Sequence, residues 1–368
     1  MSTPIRILHI FGIMDRGGAE TMIMNYYRHI DKKQVQFDFL VFLDREGDYD
    51  DEIKSMGGSI FKIPPIYQYC SHKKAVEEFF HKHPEYRIIH GHIGELGYCI
   101  YKEAKRRNVP VIIAHAHNAA CDHNWKWPVR TLLKHLIRPY INTRMTCGQD
   151  AAKWLFGTTM APNAIMINNA IDTDKYVFCE NKRHKIREQM GWNGQFIIGD
   201  VARFFPPKNH IGLLSIFKAV VEKRPDSLLV LIGDKIELYE SIKNQAHKMG
   251  IIDHIQFLGV RTDVPELMQG MDVYCSPSLY EGLSVSMVEA QTCGLKVITS
   301  DRVPEQVALI PELLTFISLN APPQVWADEI LTPYPRYNKS NKIKKAGFDI
   351  RTNAVRLQNY YLEQSALS

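Results

Sequence analysis

Two carboxylates, Glu281 and Glu289, stand eight positions apart in YEGLSVSMVEA (280–290), with a glycine and two serines between them. The run LSVSMVEAQTC has helical spacing and Gly294 to end it, so Glu281 precedes a helix and Glu289 lies about two turns inside. Environments that different do not suit an acid and base sharing one proton. Each carboxylate can instead accept hydrogen bonds from sugar hydroxyls, and the N–H groups of Gly282, Leu283 and Ser284 at the helix start suit an anion. In ARFFPPKNH (202–210) Arg203 and Lys208 share one strand-to-helix loop, stiffened by two prolines. Fixed cations there suit a diphosphate, whose charge they neutralise as it leaves; the plainer reading is a solvated pair.

Two more stretches belong with these. AHAHN (114–118) ends a buried-looking strand in His115 and His117, which point the same way if the strand continues; HGH (90–92) precedes them. H-x-H is also a metal-ligand spacing, which keeps a metal-dependent hydrolase as an alternative. Such an enzyme needs further ligands at later strand ends, and only four histidines follow residue 172. GIMDRGGAE (12–20) is a glycine-bearing turn from the first strand into a helix beginning near Ala19. It departs from G-x-G-x-x-G, and Asp44 is a loose match to a ribose-binding carboxylate. Gly17 and Gly18 still admit close approach of a ligand to the backbone, or simply make a tight turn.

The elements that must position these residues alternate. Strand-like runs fall at 6–12, 37–43, 59–64, 87–92, 109–117, 144–149 and 164–172, and again at 195–204, 227–234, 254–260, 271–278, 295–301 and 314–320, with helical spacing between many of them. That rhythm predicts βαβ units and two parallel sheets covered on both faces: an α/β fold of two doubly wound, Rossmann-like domains. The polar stretch DTDKYVFCENKRHK carries no apolar periodicity and marks the boundary. The expected domains are 1–172, 173–350, and a final helix over 351–368 returning toward the first. Facing sheets would leave a cleft at their carboxyl ends, where such sheets bind ligands.

Composition agrees with a globular protein. The 368 residues are 45% hydrophobic and 23% charged, enough for two cores and too apolar for disorder. Residues 1–172 hold 22 Lys plus Arg against 18 Asp plus Glu, and 11 of the 15 histidines. No basic-then-apolar leader opens the chain and no apolar run reaches about 20 residues, so no signal peptide and no spanning helix is expected. Seven scattered cysteines without C-x-x-C are expected to be reduced, buried and inert.

One ligand, with a diphosphate in the middle and a sugar at each end, satisfies the groups around both strand-end loops. With GGAE, AHAHN, NNAIDTDKY, ARFFPPKN, FLGVRTDV and YEGLSVSMVEA in order, the chain resembles the GT-B glycosyltransferases of family 4, retaining enzymes with an E-x7-E motif, over nearly its full length. The resemblance implies that Glu289 holds the nucleotide ribose and Glu281 the donor-sugar hydroxyls, with Arg203 and Lys208 clamping the diphosphate. Gly17 and Gly18 match the loop that closes over phosphates and sugar. His117 fits the family's active-site histidine, with His115 second, and Arg261 falls in the loop bordering the nucleobase. It further implies front-face transfer without a metal or cofactor. DTD (172–174) and DYD (48–50) read as turn chemistry. Ala170 stands where relatives carry glycine in N-G-I-D; Asn169 can take an unusual backbone angle there.

The implied reaction moves a hexose, from a UDP-sugar by expectation, onto a glycan or lipid-linked glycan of capsular or exopolysaccharide type. A nucleotide-sugar epimerase of the same architecture is the other alternative. Over 123–144 the chain reads HNWKWPVRTLLKHLIRPYINTR, with Lys126, Arg130, Lys134, Arg138 and Arg144 basic and nothing acidic. Basic residues four apart lie along one helix face, which suits an anionic membrane surface. A cytoplasmic enzyme, peripheral on the inner face of the membrane, is the expected location; nucleic acid is not an expected partner.

Overall fold

The computed structural model describes residues 3–117, 127–234 and 238–367. They form two compact units, Met1–Ala170 with Ile350–Ser368, and Ile171–Asp349.

In the first unit seven strands, β1 (Ile5–Ile10), β2 (Val35–Val41), β3 (Ile60–Lys62), β4 (Ile88–Gly91), β5 (Val111–Ala116), β6 (Thr143–Thr146) and β7 (Ile165–Met166), pair in parallel in the order β3-β2-β1-β4-β5-β6-β7. Side chains alternate between two cores, as period-two geometry demands. Ile7, Phe37, Phe39, Ile88 and Ile113 pack with Ile23 and Tyr26 of the helix Gly18–His29 and with Ile350, Leu357 and Tyr361 of the last helix. Leu8, Ile10, Ile89, Ile112 and Ala114 pack on the other face against Phe79, Ile100 and Leu155. Burial on both faces explains why the strands read as near-continuous apolar runs. The order reverses between β1 and β4, so the loops leaving those strands flank this sheet's switch point.

The second unit repeats the scheme with β8 (Phe196–Val201), β9 (Ser227–Ile232), β10 (Ile255–Gly259), β11 (Val273–Ser276), β12 (Lys296–Ser300) and β13 (Leu314–Ile317), all parallel, in the order β10-β9-β8-β11-β12-β13. Its switch point lies between β8 and β11. Gly233, just past β9, meets the backbone where β8 ends, and a Cβ there would run into the carbonyl oxygen of Ala202. Since backbone cannot step aside as a side chain does, Gly233→Ala is expected to destabilise this unit by about 2–4 kcal/mol, read as a lowered urea midpoint.

All thirteen strand-like runs hold strands, and all but the second are shorter than read, because apolar residues lead on into the loops; the second keeps its length and lies two residues earlier. The structure corrects other expectations. ENKRHK is not part of an irregular boundary: a helix spans Glu180–Met190, held by Arg183 and Arg187, which pair with Asp272. Cys121 lies outside the described residues; of the six that are described Cys70 is exposed and Cys99 and Cys179 are half-buried, so these six are free without all being buried. Among the described residues only Asn108 (φ 56°) and Asn209 (φ 53°) are non-glycine residues with positive φ, so Asn169 takes no such angle.

Candidate functional site

In the second unit the two loops at the switch point are tied into one structure. β8 runs into 202–209 and β11 into 277–284; Leu279 N–H donates to Pro207 O (2.7 Å) and Asn209 Nδ2 to Pro277 O (3.0 Å). Asn209, in the left-handed region, also caps the helix His210–Lys223 by accepting the Gly212 N–H at 3.2 Å. Across the tied loops Lys208 Nζ bonds Glu281 Oε1 at 2.5 Å, and Ser278 Oγ donates to the same oxygen at 2.8 Å. The two cations of this loop are therefore differently engaged. Lys208 is held beside a carboxylate, while Arg203 is exposed and forms no ion pair with a described residue.

A buried layer lies directly beneath. Asp200 on β8 is 1% exposed; the Tyr274 hydroxyl is 3.2 Å from its Oδ1 and His210 Nε2 is 3.4 Å from its Oδ2. Burial raises the Asp200 carboxyl to about 7 against the pull of Lys208, and burial with Lys208 lowers His210 to about 4. Neither residue was singled out from the sequence, although an Asp inside the apolar strand FIIGDV was a usable signal.

Glu289 sits in the helix Val285–Thr292, where the Tyr176 hydroxyl donates to its Oε1 at 2.6 Å. Burial pushes Glu289 up to about 7, and the Tyr176 bond pulls the other way by favouring the carboxylate. Ser284 at the N-cap makes no side-chain capping bond, so the cap side chain leaves the first N–H groups of this helix unused. Gly282 is exposed and Leu283 half-buried beside it. Arg261, past β10, is clamped on Asp263 by two bonds of 2.7 and 2.6 Å. The unit thus collects a cation pair, a helix start and two carboxylates around one switch point, a set able to hold a charged, hydroxyl-rich ligand.

In the first unit Gly17 is the N-cap of the helix Gly18–His29 with ordinary φ (−85°); what it gives is room, because the Glu20 carboxylate folds against it. The 12–17 loop is braced by Tyr49 N–H to Met14 O (2.9 Å), by Arg16 N–H to Asp48 (3.2 Å) and by the Arg45–Asp15 pair. Asp48 of DYD thus serves the loop, and Asp174 of DTD pairs with Lys344 in the second unit.

Five histidines gather on one face of the first sheet. His9 comes from β1, His90 from β4 and His115 from β5, and His92 and His117 follow the last two strands. His9 Nδ1 lies 3.0 Å from His92 Nε2, whose Nδ1 lies 2.8 Å from His117 Nε2. His90 Nε2 is 3.0 Å from His115 Nδ1, and its own Nδ1 is 2.6 Å from the Tyr361 hydroxyl of the last helix. Burial keeps all five rings neutral: His9 is lowered to about 3, His117 to about 4, and His90, His92 and His115 well below the ordinary range. His9 with His90 and His92, and His92 with His115 and His117, bring ligand atoms within 4.8 Å of one another. The rings, however, stack: His90 on His92 at 4.3 Å and His115 on His117 at 4.1 Å, nearly parallel. In-plane lone pairs of stacked rings run side by side and do not converge on a tetrahedral point. In this geometry the imidazoles hydrogen-bond one another. The sequence drew attention to four of them and missed His9 and Tyr361.

The basic stripe expected over 123–144 is different in the structure. Residues 123–126, with Trp125 and Lys126, lie outside the described residues. In the helix Trp127–Leu136 no side chain is buried; Arg130 pairs with Glu95, and Lys134 lies 4.4 Å from the Trp154 ring centre. The apolar side faces out, with Val129 57%, Leu132 58% and Leu136 39% exposed. No helix among the described residues is long and apolar enough to cross a membrane.

Residues 182–347 match the family model described as glycosyl transferases group 1. The chain is 35% identical to EpsF of Bacillus subtilis (strain 168), named as a glycosyltransferase, over 98% of this chain and 97% of that one. It is 25% identical to the UDP-Gal:alpha-D-GlcNAc-diphosphoundecaprenol alpha-1,3-galactosyltransferase of Escherichia coli, again over 98% and 97%. Among solved structures, Anabaena Alr3699/HepE in complex with UDP and glucose superposes with a TM-score of 0.78 at 19% identity, covering 98% of this chain and all of that one.

Proposed function

This chain belongs to the glycosyl transferases group 1 family and has the GT-B kind of fold, and from that premise we propose that it is a metal-independent, retaining hexosyltransferase of family 4 that takes its sugar from a UDP-sugar. The observation that carries the reading is the Lys208–Glu281 pair at the switch point of the second unit, with Arg203 exposed in the same loop. In this reading the donor diphosphate takes Lys208 and Arg203 as countercharges and the N–H groups of Gly282, Leu283 and Ser284 as donors. Glu281, released from Lys208, accepts sugar hydroxyls. Glu289, held by Tyr176, accepts the ribose hydroxyls, and Arg261 borders the base. Gly17, Gly18 and His117 are the ligand-contacting residues of the first unit in this reading.

The chemical step breaks the bond from the anomeric carbon to the diphosphate oxygen and forms a bond to the acceptor oxygen on the same face. The acceptor's proton passes to the departing diphosphate. Nothing is oxidised or reduced, and the chain's share is positioning and charge stabilisation. The E. coli relative is named for a UDP-Gal donor and a lipid diphosphate acceptor, which supports a glycan or lipid-linked glycan acceptor in surface polysaccharide synthesis here. Thermal stabilisation by UDP-, GDP- and ADP-sugars, with and without EDTA, tests the donor site. Stabilisation by UDP-sugars that ignores EDTA and disappears in Glu289→Ala is the expected result. Silence across the panel, or a requirement for metal, would sink the reading.

For the acceptor side we propose peripheral docking on an anionic membrane through Val129, Leu132 and Leu136, whose exposed stripe is flanked by the basic Arg138. Leu132→Ser with Leu136→Ser is expected to weaken binding to phosphatidylglycerol vesicles, read by co-sedimentation, about 30-fold, each apolar side chain withdrawn from the interface contributing roughly 1 kcal/mol. Equal sedimentation of the double variant and the parent would exclude this face.

A further inference from the structure

We propose that His9, His90, His92, His115 and Tyr361 are positioning residues: a relay of neutral, hydrogen-bonded imidazoles in the core of the first unit that fixes the ring of His117 and the tautomer it presents. The inference rests on the reading above, in which His117 meets the ligand.

Its first support is geometric. His117 Nε2 is tied inward to His92 Nδ1 at 2.8 Å, and His92 is tied in turn to His9 at 3.0 Å. Of the five rings four are buried, His9 and His90 fully, while His117 at the strand end is partly exposed. Only its Nδ1 is left to face a ligand, and no described residue bonds that atom. The ring is also clamped by stacking on His115 at 4.1 Å, while Phe11 stacks on His92 at 4.3 Å. A surface histidine would rotate; this one is held at both a nitrogen and a face.

The second support is that a row of neutral imidazoles transmits its polarity. Each neutral ring has one N–H and one bare nitrogen, so if one bond in a row has a direction, every bond in that row has it. In His9–His92–His117 all rings carry the proton on Nδ1, or all carry it on Nε2. The parallel row begins at Tyr361: when its hydroxyl donates to His90 Nδ1, 2.6 Å away, His90 carries its proton on Nε2 and donates to His115. The two rows touch through the His90–His92 and His115–His117 stacks. Such an arrangement does for His117 much of what an outer partner does for an active-site histidine: it ties its tautomer to that of the whole row and locks the orientation.

The far ends of both rows, His9 Nε2 and His115 Nε2, are buried without partners among the described residues. Buried polar atoms are seldom left so, and packing alone would be better served by apolar side chains. A relay whose purpose lies at its other end accounts for their retention.

The test pairs His92→Leu, which removes the link, with His92→Gln, which restores a donor and an acceptor near the same place. Long-range 1H–15N spectra of the unliganded protein read each ring's tautomer without any need for turnover. The parent is expected to show a single His117 tautomer, and His92→Leu an averaged pair. In transfer assays His92→Leu should lower kcat about 10–100-fold with donor KM changed less than about 3-fold, and Gln should recover most of the loss. An unchanged His117 tautomer in His92→Leu, or equal kcat in Leu and Gln variants that are equally folded by circular dichroism, would overturn the relay. So would stoichiometric zinc binding that shifts the His92, His115 and His117 resonances, since the array would then be a metal site. If the parent transfers no sugar yet shows the fixed tautomer, the glycosyltransferase reading fails while the relay stands.

Discussion

Lys208→Ala is expected to lower kcat for transfer by about 10²–10³-fold while donor KM rises only a few-fold, because its charge matters most when the diphosphate becomes a leaving group. In the resting protein Lys208 is bonded to Glu281 and is 23% exposed, so part of its charge is already met. Donor binding replaces one carboxylate with a diphosphate, and bond breaking adds negative charge to it. An ammonium in a stiff loop gains most at that last step. Arg203, exposed and unpaired among the described residues, is free to move with the ligand, so Arg203→Ala should show more of its loss in KM. The substitution at 208 also strands Glu281, 11% exposed, with Ser278 as its donor, at a stability cost of about 1–2 kcal/mol. Steady-state kinetics with a saturating acceptor, beside a urea titration, separate the two effects. A kcat within threefold of the parent would make the Lys208–Glu281 pair a structural brace and remove the proposed clamp.

How much of this was legible in the sequence depends on the distance over which each feature is decided. Strands of a parallel sheet are buried on both faces, so FDFLVFL and SLLVLIGD announce themselves locally. Their ends were overread because hydrophobicity does not mark where pairing stops. The strand-end loops were legible as carriers of chemistry because the doubly wound pattern says where ligands go. Which groups meet was not legible. Lys208 and Glu281 are 73 positions apart, and His90 and Tyr361 are 271 apart. Their bonds are products of the finished fold. The basic stripe shows the same limit: spacing put Arg130 and Lys134 on one face correctly, and only Glu95 and Trp154 decide that this face turns inward. Helical periodicity fixes which residues share a side and leaves open which side meets the protein.

Acidification is expected to unfold the first unit before the second, with the first losing its protection between about pH 6.5 and 5. Four buried imidazoles, His9, His90, His92 and His115, are held neutral, their folded values lying far below the ordinary 6.5. Above pH 6.5 both folded and unfolded chains leave them unprotonated, and the packed array contributes its full stability. Below it the unfolded chain takes up protons that the folded array refuses, so stability falls as pH falls. At pH 5.5 each ring costs about 1.4 kcal/mol, or about 5–6 kcal/mol for the four, against a whole-domain stability of roughly 5–15 kcal/mol. The second unit has the opposite balance. Asp200 and Glu289, raised to about 7, take up protons in the folded state sooner than in the unfolded one, so each adds stability as pH falls from about 7 toward 4. His210, lowered to about 4, opposes them singly. Hydrogen exchange by mass spectrometry at pH 7.5, 6.5 and 5.5, corrected for intrinsic rates, resolves the two units in one experiment. Peptides from β1, β4 and β5 should lose protection at pH 5.5 while those from β8 and β11 keep theirs. Equal protection of both units at pH 5.5, or earlier opening of the second, would mean that the imidazoles are reached by water and protonate without unfolding.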